Sequence, residues 1–211
     1  MISASGAGYV RTLHVAIDAE HACTLYGVIP LSAHAYYDPY TARGARLIGG
    51  VDLESPAPAE AAAEADADAA SAGASAPPPQ LLLTPPQTTL PIHIRYARPR
   101  ASPHVVGNYV DVPLYTSAAA VGVCAPGHAV AGWDAVPLER VVPRSHARLV
   151  PELQRALGGA PLVYTAGLGD VEARIPVGNA ALQGPVAVLT LATALAAAAW
   201  LVRAVVRAAL R

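Results

Sequence analysis

From Gly184 to Val202 the chain carries no charged residue and consists mostly of Ala, Val and Leu. As a helix of about 19 residues this stretch reaches roughly the 30 Å of a hydrocarbon core. It predicts a transmembrane helix over 184–202. Pro185 suits a first helical turn, where its missing N–H leaves nothing unsatisfied, and Trp200 sits where an interfacial aromatic anchors the far end. A buried core helix is the alternative, since alanine is only weakly apolar, although such helices rarely lack charge for so long.

Arg203, Arg207 and Arg211 follow the run, with no acidic residue beyond Glu172. By the positive-inside tendency, residues 203–211 form a cytoplasmic basic tail able to meet anionic lipid headgroups, and residues 1–183 face the lumen. All 15 acidic residues lie before the run, against 14 arginines less the three of the tail, so the charge asymmetry favours this type I orientation. Met1 to Gly8 lead into Tyr9 without a basic n-region or a continuous apolar h-region. That keeps a second expectation open, a tail-anchored cytosolic β-domain adaptor on an organelle membrane.

At 211 residues the chain holds one ordinary domain plus an anchor. A formal net charge of -1, and no clustering of arginine with aromatics before the C-terminus, argue against a nucleic-acid partner. Every basic residue is arginine and phenylalanine is absent, a bias that carries no function.

Short alternating or apolar runs separated by Pro and Gly dominate residues 1–183. Leu13, Val15 and Ile17 alternate, as do Val110, Val112 and Leu114; Cys23 to Ile29, Arg46 to Leu53, Val121 to Cys124 and Leu162 to Tyr164 are further runs. This pattern predicts a mainly β protein, an antiparallel sandwich-like domain. Helical spacing is confined to Pro151–Leu157, where Leu153 and Leu157 fall four apart behind a proline. Residues 55–79, rich in Ala, Pro and small polar groups, read as a disordered insertion within that domain, because no large apolar side chain offsets their ordering entropy.

Cys23 and Cys124 are too far apart for a metal clip and are placed for one disulfide, two buried free thiols being the alternative. The seven histidines are scattered, with no His-x-x-x-His and no zinc-ligand spacing, so no metal is expected. No nucleophile elbow, phosphate loop or dinucleotide fingerprint is present, so neither a cofactor nor a catalytic residue is assigned. Cys124 with His128 suggests a thiol nucleophile and base, but no orienting third group accompanies them. Asp38, Asp52 and Glu54 are imaginable as paired carboxylates for glycosyl chemistry; Asp38-Pro39 is better read as a turn initiator, and Asp52 and Glu54 as residues preceding a loop.

The most distinctive polar pattern is Leu90-Pro91-Ile92-His93-Ile94-Arg95-Tyr96, followed by Pro99. Leu90, Ile92 and Ile94 share one face of a strand, which puts His93 and Arg95 together on the other. Upstream stand Cys23-Thr24-Leu25-Tyr26, Tyr37-Asp38-Pro39-Tyr40 and Val51-Asp52-Leu53-Glu54-Ser55-Pro56; downstream stand Ile175-Pro176-Val177-Gly178 and the terminal run. In this order the segments resemble the PIG-X family, the small accessory subunit of the endoplasmic reticulum enzyme that adds the first mannose to glycosylphosphatidylinositol (GPI) precursors. The resemblance implies a non-catalytic membrane protein of the endoplasmic reticulum, partnered with a multispanning catalytic mannosyltransferase that uses dolichol-phosphate-mannose. His93, Arg95 and Tyr96 are then expected either to lock the luminal sheet or to face that partner. Gly184, Ala192, Ala196 and Ala199 are small enough to let a partner helix approach.

Overall fold

The computed structural model describes residues 1–18, 23–51, 53, 78–96 and 109–209. They fall into two compact units, one of Met1–Arg98 with Val110–Ile175 and one of Pro99–Tyr109 with Pro176–Arg211. The chain is mainly β, with two antiparallel sheets and one long apolar C-terminal helix.

The strands in chain order are β1 (Ile2–Ser5), β2 (Val10–Ala16), β3 (Cys23–Pro30), β4 (Ala35–Tyr36), β5 (Arg46–Gly49), β6 (Gln80–Thr84), β7 (Gln87–Ile94), β8 (Tyr109–Cys124), β9 (Asp134–Pro137) and β10 (Leu162–Pro176). One sheet has the order β1-β2-β7-β4 and the other β5-β6-β3-β8-β10-β9. Leu13, Val15, Leu90, Ile92 and Ile94 of the first sheet pack against Leu25, Ile29, Leu82, Leu114 and Tyr115 of the second. Alternation along β2 and β7 produces this: Leu13, Val15, Leu90, Ile92 and Ile94 enter the core, while Thr12, His14, Thr89 and His93 stay outside it.

The second sheet is covered on its other face as well. Val28, Leu81, Leu83 and Val121 meet a helical layer made of short 3-10 turns at Leu138–Arg140 and Arg144–Leu149 and helix α1 (Val150–Ala156). This explains the unbroken Leu81-Leu82-Leu83. Leu82 faces the first sheet while its neighbours face the helices, so all three are buried. The expected helix at 151–157 is α1, with Leu153 and Leu157 in that layer, and the domain is a sandwich with a helical cover.

Two expected runs prove to be one element. The segments around Val112 and Val121 form the single 16-residue strand β8, which bends at Ser117, whose φ of 55° lies in the left-handed region. The Ser117 N–H donates to the Asp170 carboxylate of β10 at 2.7 Å, so a side chain holds the bend where ladder pairing is interrupted. The run from Arg46 is shorter than expected, ending as β5 at Gly49. The disordered reading of 55–79 falls, apart from Pro78 and Pro79, outside the described residues.

Helix α2 (Gln183–Ala209) is 27 residues long and extends past the expected 184–202 span, with Arg203 and Arg207 still helical. It contains a window of mean hydropathy 2.0 and is long and apolar enough to cross a membrane. Its threonines turn inward to their own backbone: the Thr190 hydroxyl donates to the Val186 carbonyl at 2.8 Å and the Thr193 hydroxyl to the Leu189 carbonyl at 3.0 Å. Such internal bonds are the form a hydroxyl needs where no water is available.

Candidate functional site

Pairing of β4 with β7 assembles the polar cluster. Tyr36 lies opposite His93, and their rings stack with centroids 5.1 Å apart and planes 15° from parallel. Arg95 follows the end of β7; its N–H donates to the His34 carbonyl at 2.8 Å, and its guanidinium carbon lies 5.0 Å from the centre of the Tyr36 ring. His93 and Arg95 therefore meet through Tyr36, a residue on a strand only two residues long that sequence patterning does not reveal. Arg95 is 3 % exposed, so its charge is held inside the fold against an aromatic face. Tyr96 is 70 % exposed, its ring centroid 4.4 Å from that of Tyr9. Of the two neighbours, Arg95 is packed within the domain and Tyr96 lies at its surface.

The Asp38-Pro39 pair makes a turn. The Asp38 carboxylate accepts the Tyr40 N–H at 2.9 Å and the Thr41 hydroxyl at 2.9 Å, and the Ala42 N–H returns to the Asp38 carbonyl at 3.1 Å. The bond from Tyr40 N–H is the main reason the Asp38 carboxyl titrates below its ordinary value. Tyr40 is 84 % exposed, whereas Tyr37 is buried. The Tyr37 N–H donates to the Gln80 side-chain oxygen, the Gln80 amide donates to the Gly50 carbonyl, and the Tyr37 hydroxyl donates to the Ala42 carbonyl. Leu53 is exposed at the surface. Asp52, Glu54 and Pro99 lie outside the described residues.

Cys23 and Cys124 are opposite residues of β3 and β8 and form a disulfide, with Cα atoms 4.2 Å apart. A disulfide sulfur is not a thiolate, so Cys124 cannot serve His128 as a nucleophile in this state. Among the described residues no group of three or more His, Cys, Asp or Glu is placed to hold a metal ion. Of two open clefts on this domain, one is lined by Asp18 and the other by Arg46 as their charged residues among those described, and neither brings a base to a nucleophile.

Two further buried polar groups escape sequence reasoning because only tertiary packing encloses them. His146, in the helical layer, is 5 % exposed; its Nε2 lies 3.0 Å from the Leu31 carbonyl and its Nδ1 2.9 Å from the Ser145 hydroxyl. Burial lowers its pKa against the raising effect of its backbone hydrogen bonds. Tyr115 is fully buried, with a hydroxyl that has no hydrogen-bond partner among the described residues. Burial, helped by the Asp170 charge, pushes its pKa up to about 12.

No protein-family model, curated protein or solved structure matches this chain.

Proposed function

We propose that this chain is a non-catalytic stabilising subunit of the endoplasmic reticulum GPI mannosyltransferase that transfers the first mannose from dolichol-phosphate-mannose. The observation that carries the reading is a disulfide-closed β domain continued by one helix whose apolar side chains are exposed all round, Val186, Leu189, Leu195, Trp200 and Val205 among them. A helix apolar on all sides is stable only in lipid or against other apolar helices. A disulfide closing a loop of 101 residues belongs to an oxidising compartment, which favours the lumen for the β domain over the cytosol. The order of motifs from Cys23 to the terminal helix, which resembles that of the PIG-X family, supports the choice of enzyme.

An accessory role also fits the demands of the chemistry. Polyprenol-linked transfer takes both substrates from the membrane, so its catalyst needs an intramembrane cavity furnished with ionisable groups. One alanine-rich helix does not enclose such a cavity. In this reading the subunit presents a rigid folded surface to its partner and supplies one more helix for packing, with Gly184, Ala192, Ala196 and Ala199 allowing close approach.

Affinity purification of the tagged full-length chain in mild detergent, followed by mass spectrometry, tests this function. The expected result is near-stoichiometric recovery of a multispanning mannosyltransferase whose cellular level drops when this chain is depleted. Recovery of cytosolic proteins alone would refute it and favour the tail-anchored adaptor.

A further inference from the structure

The β1–β2 turn and the end of β10 are tied together by one side chain. The Arg11 guanidinium donates to the Gly8 carbonyl at 2.6 Å and to the Arg174 carbonyl at 2.9 Å, and Arg11 itself is 9 % exposed. Next to Gly8 stands Tyr9, whose carbonyl accepts the Ile94 N–H at 2.8 Å and whose ring meets that of Tyr96. The place where β10 leaves the β domain is therefore the place where Tyr9 and Tyr96 come together. Val10, 44 % exposed, lies beside them opposite His93. The turn itself, Gly6-Ala7-Gly8, is exposed, uncharged and small, with Gly6 and Gly8 at positive φ.

After Pro176 only residues 177–182 precede α2. Fully extended, that linker spans at most ~20 Å. If α2 crosses a bilayer, the strand end that feeds it stands within that distance of the headgroups, and Arg11 ties the turn carrying Tyr9 to that strand end. Tyrosine is a side chain suited to this boundary, its ring among acyl chains and glycerol and its hydroxyl in water. A tethered surface need bind only weakly, because the anchor keeps it at high effective concentration.

We propose that the patch of Tyr9, Val10 and Tyr96 rests on the interface of the membrane that α2 spans, so that the β domain is seated on lipid instead of swinging on its linker. This inference depends on the membrane-anchor reading above. It does not depend on the identity of the enzyme partner.

Trp200 provides an internal reference. Full-length protein is reconstituted into phosphatidylcholine vesicles with brominated acyl chains, and tryptophan quenching is compared in wild type, Trp200→Leu, and Trp200→Leu combined with Tyr96→Trp or with Val10→Trp. We expect quenching in the wild type, loss of most of it in Trp200→Leu, and its return with a blue-shifted emission in both combined variants. Quenched wild type with combined variants as dark to bromine as Trp200→Leu overturns the seating while leaving the anchor intact; a protein partner then becomes the occupant of the patch. Quenching in the wild type no greater than in Trp200→Leu, which keeps Trp133, overturns the anchor, and the seating with it. Two positions are used so that misfolding of one variant, checked by circular dichroism, leaves the other to decide.

Discussion

Tyr36 and His93 face each other across β4 and β7 with their rings stacked, and the buried Arg95 guanidinium lies against the same tyrosine. A cation held away from water on an aromatic face is stabilised by up to about 2 kcal/mol, and removing it also leaves a hole.

Arg95→Ala should therefore lower stability by about 2 kcal/mol, and Tyr36→Ala by a similar amount, with the double variant costing less than the sum of the two. Chemical denaturation of the full-length protein in detergent measures all three. Fully additive losses would show that Arg95 and Tyr36 do not act together. Tyr96→Ala, at an exposed position, should change stability by less than about 0.5 kcal/mol.

The Cys23–Cys124 bond closes a loop of 101 residues. In the chain-entropy account a loop of that size contributes up to about 4.7 kcal/mol by restricting the unfolded chain. The Cys23→Ser, Cys124→Ser variant should lose stability by several kcal/mol on that scale, and protein isolated without reductant should take up no maleimide until it is reduced. Maleimide labelling of the unreduced, denatured chain would instead place both thiols in the free state.

Acid should loosen the helical layer through His146. Its pKa is depressed in the fold, chiefly by burial, with the Leu31 and Gln80 backbone opposing and Arg148 assisting. The unfolded chain therefore binds the proton more readily. The stability tied to the neutral imidazole is complete above its ordinary value near 6.5, declines as pH falls below that, and is lost once pH has passed the depressed folded value. Thermal unfolding between pH 7.5 and 5 should fall more steeply for wild type than for His146→Gln. Parallel slopes would remove His146 as the cause.

Tyr115 offers a test of the opposite sign. Its buried hydroxyl lacks a partner among the described residues, so Tyr115→Phe removes a desolvation cost while keeping the ring. The substitution should be neutral or stabilising, by up to about 1 kcal/mol. A loss of more than that would reveal a hydrogen bond to the hydroxyl.

Legibility in the sequence followed locality. The alternation of Leu90, Ile92 and Ile94 marked β7, the Asp38-Pro39 pair marked a turn, and the proline-led spacing of Leu153 and Leu157 marked α1, because each is set by a periodicity or a turn preference within a few residues. β4 escaped, being too short to show any period. The continuity of β8 through Ser117 escaped as well, since its bend is held by Asp170, a residue far along the chain on another strand.

By its own local chemistry the chain determined that it would form mainly antiparallel strands, carry an uncharged helical stretch long enough for a membrane, and put His93 on the strand face opposite Leu90, Ile92 and Ile94. Tertiary structure alone decided that Tyr36 would join them, that His146 would be enclosed, that Cys23 would meet Cys124, and that Arg11 would bind the end of β10 to the turn carrying Tyr9. The physical reason is that a strand's facing pattern is written in successive side chains, whereas its neighbours are selected by burial and hydrogen bonding across residues that the sequence holds far apart.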